Sequence, residues 1–348
     1  MTAPLGVAML GCAHTPHAWS YARALTASPQ AELLGVFDPS EQRAESLIRD
    51  FSVPYYSHAA ELVELPGAAA VIVCSETVEH QRLVEMAAAC GRHVLCEKPL
   101  ATTLAGARAM VAACAASGVQ LHTAFVSRFH PLVVRTRAAV RAGDLGELVG
   151  MVGGNRGRPS LPPHYPEWIT DRARCGGGAL MDHSVHLTDV MRHISGQEVS
   201  RVSAEVGALL WDCGVDDVAV MSLVFDGGAV ATVDPSWSVP ANNPWDYDFF
   251  LRVVGTRGSL SVDDVAESLR VVGNGAPGMR LVPVGTDADA LLVAGFVASV
   301  QAGEILEPCA TGEDGLRALE VALAGYASAD QGAVVVTVPR SPVAPPDE

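Results

Sequence analysis

Strand-like and helix-like segments alternate through the first 125 residues, and this rhythm constrains the fold more than any other feature of the sequence. Apolar runs of the length of buried strands occupy Leu5–Leu10, Ala31–Phe37, 68–74, His93–Cys96 and 119–125. Segments with helical periodicity fill the intervals, after a turn at 11–16 and at 41–50, 79–90 and 103–117. Strands and helices that alternate in this way predict a doubly wound, parallel α/β sheet that binds ligands at the carboxyl ends of its strands.

The pattern changes in the second half of the chain. After a predicted helix at 178–194, strand-like segments follow at 201–210, 217–225, 229–239 and 248–254, with further short strands across 262–283. Helices at 287–301 and 314–329 and a last strand at 333–338 complete the pattern. A chain of 348 residues is long for one core. We therefore expect a dinucleotide-binding domain over 1–125, a substrate-binding and oligomerisation domain over 126–340, and a disordered tail over 341–348.

The charge balance limits the partners of the chain. It has 23 basic and 39 acidic residues, a net charge of −16, which argues against nucleic acids and anionic membranes. The acidity suits a cationic substrate such as an amino sugar, or a surface that serves only solubility.

No apolar run is long enough to span a bilayer, and Leu5–Leu10 lacks the basic leader of a signal peptide, so a cytoplasmic protein is expected. None of the 8 cysteines forms a CxxC pair, which favours reduced thiols over disulfides or a zinc site.

The turn after the first strand is an imperfect dinucleotide fingerprint, with Gly11, Ala13 and Pro16 at the positions of G-x-G-x-x-G. Gly11 can form the tight turn, Ala13 is small, and Pro16 suits the start of a helix whose N-terminus would face a pyrophosphate. Asp38 closes the second strand, where a carboxylate binds a ribose 2′-hydroxyl and repels a 2′-phosphate. Because no arginine immediately follows Asp38, NAD is favoured over NADP. The alternative for Asp38 is a turn-forming or helix-capping role.

Basic side chains at three positions are unusual. His14 and His17 stand beside the predicted pyrophosphate turn, where they either contact the cofactor or stabilise the turn. Lys98 is the only lysine among 23 basic residues. Unlike arginine, lysine is compact and can lose its proton when partly buried, so Lys98 is a candidate catalytic group. The alternative is chance survival of one lysine in an arginine-rich chain.

The predicted helix at 178–194 carries a second group of candidates. Glycines at 176–178 would allow close backbone approach. Asp182, His186, Asp189 and His193 recur at helical spacing and therefore share one face, an arrangement that suits proton transfer. A metal site or a solvated helix face are the less favoured alternatives, and no metal is expected.

Several motifs together resemble one family of oxidoreductases. They are HVLCEKPL at 93–100, SRFHP at 127–131, GDLGEL at 143–148, GGGALMDHSVHLTD at 176–189, VVGTRGSL at 253–260 and TGEDGLRALEVALAGYASA at 311–329. In this order they resemble the glucose-fructose oxidoreductase, inositol dehydrogenase and MocA (Gfo/Idh/MocA) family over almost the whole chain. Two departures from the family pattern are Ser184, where glycine is usual, and His183, where an apolar residue is common.

The resemblance implies a Rossmann domain followed by an α/β domain with a large, open, mostly antiparallel sheet, assembled as a homo-oligomer (a dimer or tetramer). It also implies that Lys98, Asp182 and His186 surround a substrate carbinol. Cofactor contacts are implied for Ser75, His80, Glu97 and Lys98, in addition to the residues of the dinucleotide turn.

Candidate substrate-binding residues lie mainly in the stretch 154–168, which is rich in basic and aromatic side chains. This stretch reads either as part of a sugar-binding cleft or as an ordinary surface loop. Arg128 matches a family position near the substrate, but could instead form a structural ion pair. The complete candidate set is Arg128, Arg156, His164, Tyr165, Trp168 and His183, with Asn155 and Arg158 nearby.

These features predict an NAD-dependent dehydrogenase that oxidises a secondary ring hydroxyl of a sugar, amino sugar or cyclitol. Oxidation at C3 of a pyranose in aminoglycoside biosynthesis is one such reaction. Because histidine titrates near neutral pH, His186 is the expected base and Lys98 the electrostatic partner, although the two roles can be exchanged. The alternatives are a reductase of a keto-sugar, imine or tetrapyrrole, and a non-catalytic NAD(H)-binding regulator.

Overall fold

The computed structural model of the chain describes residues 3–158, 161, 166–243, 245–263, 268–272, 279–283 and 285–340. Its strands are β1 (Leu5–Leu10), β2 (Ala31–Phe37), β3 (Tyr55–Tyr56), β4 (Ala68–Val73), β5 (His93–Cys96), β6 (Leu121–Thr123), β7 (Leu148–Gly157), β8 (Val199–Gly207), β9 (Val218–Phe225), β10 (Val230–Asp234), β11 (Tyr247–Gly255), β12 (Ser259–Asp263), β13 (Ser268–Val272), β14 (Met279–Pro283), β15 (Ala310–Thr311) and β16 (Val336–Thr337). Its α-helices are α1 (Thr15–Ala27), α2 (Glu41–Phe51), α3 (Ala59–Val63), α4 (His80–Ala89), α5 (Leu104–Ala116), α6 (Pro131–Arg141), α7 (Arg172–Cys175), α8 (Ala179–Ser195), α9 (Ala288–Ala302) and α10 (Gly312–Asp330).

The first sheet has the strand order β3-β2-β1-β4-β5-β6, and these strands are all parallel. The order reverses between β1 and β4, which is where a dinucleotide binds in a doubly wound sheet. The predicted Rossmann arrangement is therefore confirmed. A seventh strand, β15, joins the edge and runs antiparallel to β6.

Helices cover both faces of this sheet, because its central strands are apolar on both sides. Every residue of β1 after Leu5 is buried. Side chains from α1, α2 and α9 pack on one face, and side chains from α4 and α5 pack on the other. The C-terminal segments α9 and β15 thus return to the first sheet after the second sheet is complete.

The second sheet has the order β12-β11-β7-β10-β9-β8-β16. Only the pairing of β7 with β10 is parallel within the described strands, so the sheet is mostly antiparallel, as expected. Helices α8 and α10 pack against one face. The other face exposes Val152, Val220, Val230 and Val254, as an open antiparallel sheet allows.

Some elements differ from the sequence prediction. The strand expected at 229–239 ends at Asp234, because Pro235 has no N–H to donate to a neighbouring strand. The strand β7 was not predicted, although it lies between β11 and β10 in the second sheet. Its glycines and polar residues hide the strand pattern. None of the described helices combines the length and apolar content needed to cross a bilayer. The tail at 341–348 lies outside the described residues.

Candidate active site

The turn between β1 and α1 is packed tightly against the end of β4. Gly11 has a φ of +92°, and a Cβ atom there would lie 2.6 Å from Cα of Ser75. The N–H of His14 donates to the carbonyl of Cys74 at 3.1 Å. No side chain of the described residues caps the N-terminus of α1, where Pro16 occupies the first turn. The uncapped helix start can therefore attract an anionic phosphate.

Asp38 ties the end of β2 to this turn. Its Oδ2 accepts the backbone N–H of Cys12 at 2.7 Å, and its Oδ1 accepts the N–H of Ser40 at 2.8 Å. Arg43, one turn into α2, donates Nε to the same Oδ1 at 2.7 Å. These contacts show that Asp38 holds the turn together, and its contact with a ribose stays a prediction. The sequence argument considered only the residue directly after Asp38 and missed Arg43.

Glu97 holds the turn that follows β5 and carries Lys98, which we call the lysine turn. Its Oε1 accepts hydrogen bonds from Nδ1 of His17 and from the hydroxyl of Tyr21, both at 2.7 Å. Its Oε2 accepts a hydrogen bond from the backbone N–H of Lys98 at 3.0 Å. Burial opposes charge on Glu97, but His17 holds the pKa of this carboxyl well below its usual range. Burial likewise opposes charge on His17, yet Glu97 raises its pKa. The two side chains form an ion pair in which Glu97 is buried and His17 is partly exposed.

His14 and His80 surround the same turn from two sides. The ring of His14 stacks on that of His17 at 4.0 Å, and burial together with the charge of His17 lowers the pKa of His14 to about 3. His80 is buried, with Nδ1 3.1 Å from the carbonyl of Pro99 and Nε2 3.2 Å from that of Ser75. His80 therefore joins the segment after β4 to the turn that carries Lys98.

The glycines before α8 allow the close approach that the sequence predicts. A Cβ atom on Gly177 would lie 2.2 Å from the hydroxyl of Tyr326, and one on Gly178 would lie 2.0 Å from the carbonyl of Asp216. Both side chains bind the helix start, where the carboxylate of Asp216 accepts the N–H of Gly178 at 3.0 Å and of Leu180 at 2.9 Å. These contacts fix the register of α8, which carries the candidate acid–base residues.

Lys98 and Asp182 meet directly. Lys98 Nζ lies 2.5 Å from Oδ1 of Asp182, while Oδ2 accepts Nε1 of Trp237 at 3.2 Å and lies 3.2 Å from Nε2 of His183. Burial would raise the pKa of Asp182, but the charge of Lys98 holds it well below the usual range. The carboxylate is therefore ionised and fixed in place by three side chains.

His186 faces the same cavity one turn further along α8. Its Nδ1 is buried and has no hydrogen-bond partner among the described residues. Burial, followed by the charge of Lys98, lowers the pKa of His186 well below its usual value. The sequence-based expectation that His186 titrates near neutral pH is therefore wrong. The imidazole is neutral because it is buried beside the charge of Lys98.

A cavity of about 290 Å³ brings these groups together. It is bounded by the start of α1, the lysine turn, one face of α8, the segment after β6, strands β7 and β11, and the start of α9. Its lining residues are His14, His17, Lys98, Val126, Ser127, His130, Asn155, Asp182, His183, His186, Tyr247, Phe249, Ala288 and Asp289. Its volume is close to that of the smaller sites that enclose small molecules.

Some predicted substrate-binding residues do not line this cavity. Arg128 is buried in an ion pair with Asp189, with Nε and Nη2 2.7 and 2.6 Å from the two carboxylate oxygens, and does not line the cavity. Arg156 pairs with Asp248 on β11. Trp168 is buried and donates Nε1 to the carbonyl of Ala13 at 3.1 Å, so it covers the dinucleotide turn. His164 and Tyr165 lie outside the described residues.

Several residues at or beside the cavity were not predicted from the sequence, among them Trp237, Tyr247, Phe249 and Asp289. Trp237 holds Asp182, while Tyr247, Phe249 and Asp289 line the cavity. Trp237 is completely buried, and an indole N–H in a core signals a polar partner. Nothing local in the sequence marks the other three, because their elements reach the cavity only in the folded chain. No cluster of described side chains is arranged to hold a metal ion.

Two family models match the chain. One describes an oxidoreductase family with an NAD-binding Rossmann fold and matches residues 5–125. The other describes the Gfo/Idh/MocA C-terminal domain and matches residues 133–261. The chain belongs to the Gfo/Idh/MocA family of oxidoreductases. The two models cover strands of the first and of the second sheet, and this member is an NAD-dependent oxidoreductase.

Named relatives act on cyclitols. The chain is 32% identical to myo-inositol 2-dehydrogenase of Thermotoga maritima, over 93% of this chain and 94% of that protein. It is 30% identical to the myo-inositol dehydrogenase Hyg17 of Streptomyces leeuwenhoekii, over 95% of this chain and 99% of that protein. These Gfo/Idh/MocA relatives support the coarse class of sugar and cyclitol oxidoreductases.

A solved structure adds a relative from antibiotic biosynthesis. The crystal structure of GenD2 from gentamicin A biosynthesis, in complex with NAD, superposes with a TM-score of 0.88 and 25% identity. The match covers 98% of each chain. This structure and the Rossmann family model agree on NAD as the cofactor.

Proposed function

We propose that this oxidoreductase converts a secondary ring hydroxyl of a sugar, amino sugar or cyclitol to a ketone. The observation that carries the proposal is the ion pair of Lys98 with Asp182, which opens with His186 onto one cavity beside the dinucleotide turn. An acid–base group, a fixed cation and an enclosed space are what oxidation of an alcohol requires of a protein.

The residues around the first sheet fit an NAD molecule. The backbone at Gly11 approaches Ser75 so closely that a side chain would overlap it, the start of α1 is uncapped, and Asp38 stands at the end of β2. In our proposal the turn holds the pyrophosphate and Asp38 the adenosine ribose. Bound NAD⁺ supplies the acceptor for the hydride that leaves the carbinol carbon.

Lys98 and His186 have different roles toward the substrate hydroxyl group. A neutral His186 has a ring lone pair that can accept the hydroxyl proton, and because its lowered pKa makes it a weak base, it then releases the proton to solvent. Lys98 donates a hydrogen bond to the oxygen as negative charge develops there. Asp182 keeps Lys98 in position, and Trp237 and His183 in turn hold the carboxylate of Asp182.

The charge inside the cavity favours an amino sugar as the substrate. Asp182 is paired with Lys98 and Glu97 with His17. Asp289, half-buried at the start of α9, lines the cavity without an ion pair or hydrogen bond among the described residues. An uncompensated carboxylate attracts a substrate ammonium group. Its position, together with the similarity to GenD2 from gentamicin A biosynthesis, supports an aminoglycoside-type substrate. Oxidation at C3 of a pyranose ring is our proposal for the reacting carbon.

Steady-state NADH formation tests the reaction. The purified enzyme is incubated with NAD⁺ and a panel that contains myo-inositol, glucose, glucosamine and an aminoglycoside. We expect turnover with at least one ring polyol and a preference for the amino sugars. Absence of turnover with the whole panel, while NADH still binds, would overturn the proposed oxidation.

Two further experiments test the substrate class and the oxidised carbon. Asp289→Asn should lower kcat/KM about tenfold for an amino sugar and leave it nearly unchanged for the matching neutral sugar. Asp144→Asn, at an exposed turn outside the cavity, is the control. Reduction of the product with borodeuteride and NMR location of the deuterium identifies the oxidised carbon. Deuterium at a carbon other than C3 would reject the C3 assignment alone.

We propose that the enzyme is a homo-oligomer that pairs through the open face of the second sheet. Val152, Val220, Val230 and Val254 are between 43% and 54% exposed on neighbouring strands of this face. Apolar side chains grouped on one face are typical of surfaces that pack against a partner. Light scattering on the purified protein tests the proposal, and a monomer at micromolar concentration would reject it.

We also propose that the enzyme works in the cytoplasm. All 8 cysteines are described, and each is a free thiol. Unpaired thiols are typical of a reducing compartment. Titration of the thiols in freshly purified protein, before and after reductant, tests this proposal.

A further inference from the structure

Four charged side chains form a continuous series of ion pairs at the carboxyl ends of the strands of the first sheet. We name it the Asp38–Arg174 series, and its members are Asp38, Arg43, Glu76 and Arg174. Arg43 donates Nε to Asp38 at 2.7 Å and Nη1 to Oε1 of Glu76 at 3.0 Å. Arg174 on α7 binds the same carboxylate with both prongs, at 2.8 and 2.5 Å. Glu76 is therefore shared by two guanidinium groups.

This series lies where the adenosine end of the cofactor is expected. Asp38 ends β2 and accepts the N–H of Cys12 in the dinucleotide turn. Glu76 follows the end of β4, across the reversal of strand order from Asp38. In a doubly wound sheet this crevice receives the dinucleotide, with its ribose against the acidic residue after the second strand.

We propose that Glu76 is a second determinant of the preference for NAD over NADP, because it occupies the guanidinium of Arg43. Arg43 is the side chain nearest to Asp38 that could pair with a ribose 2′-phosphate. It is instead held between two carboxylates. A 2′-phosphate would meet the charge of Asp38 and of Glu76 and find the arginine already bound.

The charges of the series explain why each member matters. Two carboxylates and two guanidinium groups sum to zero. Loss of the Glu76 charge leaves one positive charge for a phosphate, whereas loss of the Arg174 charge leaves one negative charge against it. Burial would raise the pKa of Glu76, but Arg174 and Arg43 hold it below its usual range. Glu76 therefore stays ionised throughout the physiological range.

Cofactor fluorescence without substrate tests the proposal. Dissociation constants for NADH and NADPH are measured for the wild type, Glu76→Gln and Arg174→Gln. We expect Glu76→Gln to lower the ratio of the NADPH to the NADH constant about tenfold. Arg174→Gln should raise that ratio. The matched control is Glu79→Gln, whose carboxylate forms an exposed pair with Arg82 at 2.8 Å, and it should change the ratio by less than about twofold.

The ratio is expected to fall in Glu76→Gln and to rise in Arg174→Gln, and these opposite changes distinguish a role in cofactor selectivity from a purely structural role. If Glu76 only fastens α7 to the first sheet, both variants should weaken NADH and NADPH to the same extent, and that result would overturn the proposal. An unchanged ratio in Glu76→Gln would overturn it as well. Glu76→Asp keeps the charge and should keep the wild-type ratio. If Glu76→Gln fails to fold, as judged by circular dichroism, the rise expected for Arg174→Gln still decides the question.

Discussion

Replacement of Lys98 by methionine removes one charge from the centre of the cavity and changes the shape of the side chain little. In the wild type, Nζ lies 2.5 Å from Asp182, and the two side chains are 5% and 22% exposed. The change therefore leaves a largely buried carboxylate without its cation. It keeps the contacts of Asp182 with Trp237 and His183.

The contacts set the expected magnitude. Loss of one member of a buried ion pair costs about 3–5 kcal/mol. Because Asp182 keeps two partners and some solvent, we expect the lower end, about 3 kcal/mol of unfolding free energy at neutral pH. Asp182→Asn should cost about as much, since it leaves Lys98 charged in the same site. The double variant should cost about 2 kcal/mol less than the sum of the single changes.

Urea unfolding of the four proteins measures this coupling. The pKa of Asp182 is depressed in the folded state, so the stabilisation is present above its unfolded value of 3.8 and is lost as the pH falls through the folded-state pKa. Repeating the cycle at acidic pH should therefore shrink the coupling. Turnover by the Lys98→Met variant should fall about 100-fold or more while NADH binding is retained.

Additivity is the result that refutes this reasoning. If the two single changes sum to the double change within about 0.5 kcal/mol, Lys98 and Asp182 do not interact in the folded protein. Retained turnover in Lys98→Met would reject the catalytic role by itself. The glutamine variant at Arg82, whose pair with Glu79 is exposed and outside the cavity, provides a control for loss of a positive charge.

Three other predictions test separate parts of the structure. Arg128→Met should destabilise the fold by about 3 kcal/mol in urea unfolding, because it leaves the fully buried Asp189 with only the longer pair to Arg192 at 3.7 Å, and should leave the NADH dissociation constant unchanged. The pKa of His17 is raised by Glu97, so the stability that this pair contributes is complete below the unfolded pKa of 6.5 and is lost as the pH rises through the folded value. His17→Gln should abolish that pH dependence of the unfolding midpoint. Val220→Glu, on the open sheet face, should shift light scattering towards the monomer without loss of folded structure.

The N-terminal sheet could be predicted closely because its signals are local. A strand buried on both faces is a short apolar run, and the turn residues Gly and Pro mark where it ends. The predicted strands at Leu5–Leu10, Ala31–Phe37 and His93–Cys96 have the same bounds in the structure. In contrast, β7 escaped prediction, because a central strand rich in glycine takes its stability from its neighbours and not from its own residues.

The candidate site could be predicted only in part. Lys98, Asp182 and His186 stand in recognisable motifs, and the fold brings them to one cavity. The state of His186 could not be read from its motif, because its pKa depends on burial and on a cation 88 positions earlier in the chain. For the same reason the partner of Arg128 remained open until the fold placed Asp189 against it.

The sequence by itself determined the strand and helix rhythm, the dinucleotide turn and the identity of the groups that can move a proton. These depend on residue type and on spacing within one element. Tertiary structure decided which charges are paired. Glu76 is bound by two arginines, whereas Asp289 lines the cavity without an ion pair among the described residues. Charge and hydration depend on distance and burial, and both are set by contacts between segments far apart in the chain.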